Sequence, residues 1–280
     1  MLQQYPFFVA VNSLTMSAIK TVSILGCGWY GLALAERLRA RSYAVKGSAT
    51  SVQKTEILKN KGIEAFLINL NSPDAVEQSA FFTTDLLIIT VPPKQVTESF
   101  DYLQLVDVLT SRVIQHGIKN ILFISSTSVY GDANSTVTEI DVPEPTSESG
   151  KLLLMAEQKL MECPAFSTTV LRFGGLYGPG RDPGKFLAGK KMVANGLAPV
   201  NLIHLEDCLG LTLKIITSET FGCVFNACSP AHPSRKDFYT RAAVESKLDA
   251  PHFIDECKSW KIVTSVKTGE LLDYQFKFYC

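Results

Sequence analysis

The chain has 280 residues, 46% of them hydrophobic, enough to bury a substantial core in one large α/β domain or one domain with a small appended lobe. Its 27 Lys plus Arg residues balance 27 Asp plus Glu residues, which leaves neither the basic footprint that nucleic acid requires nor an acidic tail, so the expected partners are small molecules. Cys27, Cys163, Cys208, Cys223, Cys228, Cys257 and Cys280 include no C-x-x-C pair and read as thiols of a reducing cytoplasm, and no metal site is assigned.

Tyr5 to Val11 form an apolar run, but no positive charge precedes it and no span approaches the ~20 apolar residues of a membrane helix. Residues 1–20 are read as an N-terminal extension without fixed structure, of which 1–15 are dispensable, and a translational start at Met16 stays open. No membrane partner is expected.

The first predicted strand, 21–26, runs into Gly26, Gly28 and Gly31 in the spacing G-x-G-x-x-G, and Leu32, Leu34, Ala35 and Leu38 then supply one apolar face of a helix. In that context the glycines read as a dinucleotide site. Gly26 lets the chain turn, Gly28 removes a side chain where a pyrophosphate approaches, and Gly31 lets helix and strand pack closely. An anion at such a helix N-terminus gains about 0.3–1 kcal/mol per exposed interaction. Trp29 and Tyr30, inside the triplet, are assigned to the cofactor site with the glycines, whereas Cys27 reads as a small residue filling a tight loop.

Further predicted strands at 43–48, 63–68, 85–91, 120–125, 168–173 and 222–227 alternate with helical patterns. One helix is opened by Ser72 and Pro73, and a longer one covers 96–116 and stops at Gly117. The expected fold is α/β, a Rossmann-type doubly wound parallel sheet, in which ligands bind along the carboxyl ends of the strands. Val91 and Pro92 at the end of the fourth strand, and Ser125 at the end of the fifth, are accordingly assigned to the cofactor wall.

At the end of the second strand, an Asp or Glu would bond the ribose 2′-hydroxyl of NAD. Gly47-Ser48-Ala49-Thr50-Ser51 and Lys54 offer hydroxyls and a cation instead, which favours the 2′-phosphate of NADP, with NAD as the alternative. Two readings stay open here: Ser48, Thr50, Ser51 and Lys54 contact the phosphate, or Ser51 caps the next helix and Lys54 is solvated.

The segment ILFISSTSVYG at 121–131 carries a hydroxyl cluster at a strand end, and LRFGGLYGPGR at 171–181 and NLIHLEDC at 201–208 follow it. With the glycine triplet, these segments resemble the extended short-chain dehydrogenase/reductases, especially their nucleoside-diphosphate-sugar epimerase and dehydratase branch. The resemblance covers nearly everything after residue 20. It implies that Ser126, four positions before Tyr130, bonds the substrate oxygen at the carbon that exchanges hydride, with Thr127 and Ser128 beside the substrate. A Tyr and a Lys should follow in a Y-x-x-x-K helix. KLLLMAEQKL, with Glu157 and Gln158 on the family's usual Glu-Gln, puts Ser149 at the tyrosine position and Leu153 at the lysine position. Neither can relay a proton, and positioned acid–base catalysis is worth ~10²–10⁴ in rate. The chain therefore resembles an atypical subgroup that keeps the cofactor and lacks the pair. Lys151 is a substitute to weigh against a plain surface lysine, and Tyr130 and Tyr177 are alternative proton donors or pocket walls.

By the same resemblance, Arg172, Tyr177, Arg181, Asn201 and His204 line the substrate site. Arg172 equally suits a structural ion pair, Arg181 suits an anion, His204 is an orienting group, and Asp207 fixes the local fold. The expected organisation is a Rossmann core over 21–178 and a small substrate lobe over 179–280. That lobe is interleaved with the last strand and helix of the core at about 201–228, and carries a helix at 235–246. Two functions follow. One is an NAD(P)-binding oxidoreductase or epimerase-like protein acting on a sugar-nucleotide-like or other carbonyl or alcohol substrate; the alternative is a non-catalytic NADP-binding sensor that reports to a partner. A homodimer stays open.

Overall fold

A computed structural model describes residues 19–68, 70, 78–93 and 101–280. In chain order the strands are β1 (Thr21–Leu25), β2 (Ala44–Ala49), β3 (Glu64–Leu67), β4 (Leu86–Ile89), β5 (Asn120–Ser126), β6 (Ser135–Val137), β7 (Ser167–Phe173), β8 (Gly175–Tyr177), β9 (Leu202–His204), β10 (Val224–Ala227) and β11 (Lys261–Val263). The helices are α1 (Trp29–Arg39), α2 (Val52–Asn60), α3 (Ser79–Phe82), α4 (Tyr102–Gln115), α5 (Glu148–Met161), α6 (Gly184–Leu187), α7 (Leu205–Ser218), α8 (Arg235–Glu245) and α9 (Val266–Glu270).

Seven strands form one parallel sheet in the order β3-β2-β1-β4-β5-β7-β10. These are the seven strands expected from the sequence, with ends moved by no more than two residues. The winding reverses between β1 and β4, so a crevice opens there at the carboxyl ends. The strands read as near-continuous apolar runs because both faces are covered. Leu86 and Ile88 of β4 join α1 and α7 residues such as Leu34, Leu38 and Leu209 on one face, and Leu87 and Ile89 join Leu105 and Leu109 of α4 and Leu160 of α5 on the other.

The helix expected over 96–116 begins at Tyr102 among the described residues, where Asp101 and Gln104 form a capping box. Positions 96–100, and the Ser72-Pro73 helix start, lie outside the described residues. Among the described residues, no helix is long and apolar enough to cross a membrane.

Beyond β7 the chain leaves the main sheet: β8 pairs with β9, and α6 packs on α8, where a Cβ at Gly184 would collide with the Ala242 carbonyl oxygen. α7 then returns to pack on α1, and β10 closes the main sheet beside β7. β11 pairs with β6 next to the carboxyl end of β5, bringing the C-terminal segment over the crevice.

Candidate functional site

Three adjoining hollows follow the carboxyl edge of the sheet. One of about 320 Å³ is bounded by Gly26, Gly28, Thr50, Lys54, Val91 and Pro92. The next, of about 470 Å³, shares Gly26, Gly28, Thr90 and Pro92 with it and extends to Ser126, Leu153 and Arg181. A third, of about 350 Å³, shares Ser126 and Gly175 with the second and reaches the C-terminal lobe at Arg235, Tyr239 and Lys261. Together they make one cleft running from α2 to α8.

The glycine turn at its centre is held from both sides. Gly26, at φ 102°, lies in the left-handed region that favours glycine. Its N–H donates to Ser48 Oγ at 2.8 Å, and its carbonyl accepts from Thr90 Oγ1 at 2.5 Å. A Cβ at Gly31 would collide with the Gly26 carbonyl oxygen, whereas one at Gly28 would meet nothing within 4 Å. The backbone at Gly28 is therefore bare toward the cleft. α1 has no side-chain cap and no acid in its first turn, so its leading N–H groups are available to an anion. These features fit a dinucleotide pyrophosphate. Burial pushes the Cys27 thiol up to about 12, which makes it a filler rather than a nucleophile.

Around the turn the expected residues divide. Thr50, Lys54, Val91 and Pro92 line the first hollow. Ser48 also borders this hollow, although it is buried and its hydroxyl accepts from the Gly26 N–H, so it shapes the turn. Ser51 is the N-cap of α2, accepting from the Lys54 N–H at 3.4 Å, and does not line the hollow; the capping reading holds for it. Trp29 lies at the rim, donating from Nε1 to the Pro179 carbonyl at 2.8 Å, with the Arg181 guanidinium over its ring at 5.6 Å. Tyr30 is buried, its hydroxyl 2.6 Å from Thr212 Oγ1, and the residue borders the second hollow.

On the β5 side, Ser126 is the N-cap of a single 3-10 turn at Thr127–Val129 and accepts from the Ser128 N–H at 3.1 Å. It borders both the second and third hollows, and Thr127 and Ser128 border the third. The inner face of α5 presents Ser149, Leu153 and Glu157 at successive i+4 steps. Ser149 sits in the first turn, 3.5 Å from Ser147 Oγ, and Leu153 is in the cleft wall. Lys151 is corrected: it is exposed and paired with Glu148 at 2.7 Å, outside the cleft, because two positions along a helix turn it away from that face.

Arg172 is also corrected. Its guanidinium is buried on the Glu157 carboxylate and donates to the Tyr130 hydroxyl at 2.6 Å, so it is an ion-pair residue and not a substrate contact. Tyr130 is held by Arg172, by the Thr138 carbonyl and by Asn226 Oδ1, and burial, the main cause, raises its pKa; it is no proton donor to the cleft. The Ser125 hydroxyl donates to Glu157 at 2.5 Å, leaving only its edge to the cofactor wall.

Of the later candidates, Arg181 lines the second hollow together with Gly26, Gly28 and Gly31 rather than the third. Tyr177 packs edge-on against His204 and Phe238, its pKa raised chiefly by burial. His204 caps α7 through Nδ1, which accepts from the Glu206 N–H at 3.2 Å, and stacks on Phe278 at 3.8 Å; it is structural, not an orienter of substrate. Asn201 borders the third hollow, and its amide also clasps the Lys261 carbonyl and the Val263 N–H, which positions β11. Asp207 holds the tail by accepting from the Tyr274 hydroxyl and the Lys277 and Phe278 N–H groups.

Sequence reasoning missed Thr90, which pins the glycine turn, and Arg235, Tyr239 and Lys261, which reach the cleft only through the fold of the C-terminal lobe. A strand-end hydroxyl opposite the glycines was the available signal for Thr90. Nothing local marked the other three.

Residues 22–220 match the model of the NAD dependent epimerase/dehydratase family. Protein YeeZ of Escherichia coli K12 is 36% identical over 266 residues, covering 93% of this chain and 97% of its own length. A functionally unknown conserved protein from Silicibacter pomeroyi superposes with a TM-score of 0.77 at 23% identity, over 93% of this chain and 95% of its own. UDP-glucuronic acid 4-epimerase from Bacillus cereus, in complex with UDP-glucuronic acid and NAD, superposes with a TM-score of 0.75 at 17% identity, over 92% and 94%.

Proposed function

The chain belongs to the NAD dependent epimerase/dehydratase family, and from that premise we propose that it binds NADP in preference to NAD and acts on a carbonyl or alcohol substrate without the usual Tyr-Lys pair. The dinucleotide lies along the first two hollows, with its pyrophosphate on Gly28 and the α1 N-terminus, beside Arg181, and its 2′-phosphate beside Thr50 and Lys54. When bound, the nicotinamide supplies or accepts hydride. The Bacillus cereus epimerase, which holds NAD and a UDP-sugar on the same fold, supports this use of the cleft.

The observation that carries the reading is that Ser126 borders both the glycine-loop hollow and the third hollow. A substrate oxygen at that junction receives the Ser126 hydroxyl as a hydrogen-bond donor. The third hollow then holds the remainder of the substrate. Leu153 in the wall favours a second reading, a non-catalytic NADP-binding sensor, because the residue at that position cannot hold a ribose or move a proton. Calorimetry with NADPH and NADH, followed by single-turnover assays of hydride transfer across a carbonyl panel, tests both. Binding with transfer supports the enzyme, binding without any transfer supports the sensor, and no binding overturns the whole reading.

A further inference from the structure

Among the described residues, one buried side-chain nitrogen or oxygen has no hydrogen-bond partner, Nε of Arg235. Buried polar groups are otherwise satisfied almost without exception, and an orphaned donor on a charged group marks a partner the protein alone does not supply. Arg235 opens α8, where Ser234 already caps the helix by accepting from the Asp237 N–H. The Arg235 backbone N–H is used as well, on the Ala198 carbonyl at 2.8 Å. Its guanidinium joins no ion pair with a described residue, and Arg235 is one of the residues that line the third hollow of the cleft.

The other cation of that hollow is neutralised. Lys261 Nζ lies 3.0 Å from Asp132 Oδ1 and donates to the Tyr130 carbonyl at 2.6 Å, and both Lys261 and Asp132 border the same space. The hollow is thus left with one uncompensated positive charge, on Arg235. Ser126 also borders the glycine-loop hollow and Arg235 does not, so Ser126 marks the boundary with the cofactor space and Arg235 lies beyond it, in the lobe.

Resting on the functional reading above, we propose that Arg235 is a specificity-determining residue that receives one oxyanion, a carboxylate or a phosphate monoester, carried by the substrate away from the carbon facing Ser126. A guanidinium fork matches the two oxygens of either group. One free charge suits one oxyanion and leaves a diphosphate undercompensated. The substrate class is therefore a small oxo or hydroxy acid, or a sugar phosphate, rather than a nucleoside-diphosphate sugar.

The test titrates inorganic phosphate, acetate and UDP into the intact protein saturated with NADP, so that the glycine loop is occupied, and into Arg235→Gln and Arg235→Lys under the same conditions. Calorimetry and thermal shift are the readouts. Phosphate or acetate binding to the wild type, weakened about tenfold or more in Arg235→Gln and less in Arg235→Lys at unchanged NADP affinity, is the expected result, and the arm that binds tells phosphate from carboxylate. Without ligand, Arg235→Gln should melt no lower than wild type, because it removes an uncompensated charge. Equal binding of phosphate and acetate by wild type and Arg235→Gln, no binding of either by the wild type, or an Arg235-dependent preference for UDP over both would overturn the proposal. Should NADP itself fail to bind, the functional reading falls, and the same comparison without cofactor still decides whether Arg235 binds an anion.

Discussion

Arg172 meets Glu157 through both Nε and Nη2, the shortest contact at 2.6 Å, with the two side chains only 6% and 2% exposed. The pair ties the end of β7 to the inner face of α5, and the Ser125 hydroxyl adds the end of β5 to the same carboxylate. That junction sets the rotation of α5, and with it the presentation of Leu153 to the cleft one turn earlier.

Breaking one side of this pair leaves an unpaired buried charge, which costs about 3–5 kcal/mol. Arg172→Leu should therefore lower unfolding free energy by that amount in urea titrations, with NADP affinity falling only as the folded fraction falls. A variant of wild-type stability that had lost ligand binding would return Arg172 to the substrate site.

The glycine turn separates fold from binding. Gly28→Val should leave the melting temperature nearly unchanged, since its Cβ meets nothing within 4 Å and its φ of −79° suits any residue. It should nevertheless abolish NADP binding by filling the pyrophosphate position. Gly31→Ala, by contrast, drives a methyl into the Gly26 carbonyl and should destabilise the fold by about 1–3 kcal/mol. Calorimetry and circular dichroism on both variants check this, and retained binding in folded Gly28→Val would displace the site.

Much of this architecture was legible because its signals are local. The seven strands and the glycine triplet are written in short apolar runs and fixed spacings, and strand ends point to the crevice by topology alone. Side-chain roles at those ends were not legible, because a hydroxyl or guanidinium reads alike whether it meets a ligand or a buried partner. Ser48, Ser51, Arg172 and His204 each proved to have a partner within the chain: the Gly26 N–H, the α2 terminus, Glu157 and the α7 terminus. Arg235 and Lys261 were invisible for the opposite reason. They come to the cleft through tertiary contacts, that of Lys261 with Tyr130 at a separation of 131 and that of the Arg235 N–H with the Ala198 carbonyl.

Burial holds the His204 imidazole below its ordinary range, against the raising influence of Asp207 and Glu206. Between the folded value and about 6.5, the unfolded chain binds more protons at this position than the folded one. The contribution of neutral His204 is thus complete above about pH 6.5 and is lost as the pH falls through that value toward the lower folded one. Protonation would also remove the acceptor that caps α7. His204→Asn keeps a capping oxygen and cannot titrate, so urea midpoints measured from pH 7.5 to 5 should fall less steeply in the variant. Parallel slopes would remove His204 as the cause.

Lys54 borders the first hollow, and the Ser51 hydroxyl accepts only its backbone N–H, so its ammonium is available to a 2′-phosphate. Charged hydrogen bonds contribute about 1.5–3 kcal/mol, and 1.4 kcal/mol is tenfold in affinity. Lys54→Glu should weaken NADP binding tenfold or more while leaving NAD binding the same or tighter, with no change in melting temperature because the side chain is exposed. Calorimetry with both dinucleotides decides it. Equal losses for NADP and NAD would mean that Lys54 does not read the 2′ position.

The proposed absence of the proton relay can be tested by building one in, because α5 carries Ser149 and Leu153 one turn apart and Leu153 already lines the cleft beside Ser126. The native protein should show little turnover as an ordinary epimerase or dehydratase. Ser149→Tyr with Leu153→Lys restores a phenol and an ammonium at that spacing. The pair is worth ~10²–10⁴ in rate when well positioned, so an imperfect restoration should still raise NADPH-linked carbonyl reduction about tenfold or more. Lysine at Leu153 replaces a buried apolar side chain, so folding of the double variant must be checked first by circular dichroism and by NADP binding. In either background Ser126→Ala should lower hydride transfer, since it removes the hydroxyl that meets the substrate oxygen, while leaving NADP affinity intact. Rapid native turnover of UDP- or dTDP-sugars that ignored Ser126→Ala would sink both the α5 register and the active site. A folded double variant that binds NADP and gains no rate would instead put the chemistry away from α5, and so favour the sensor reading.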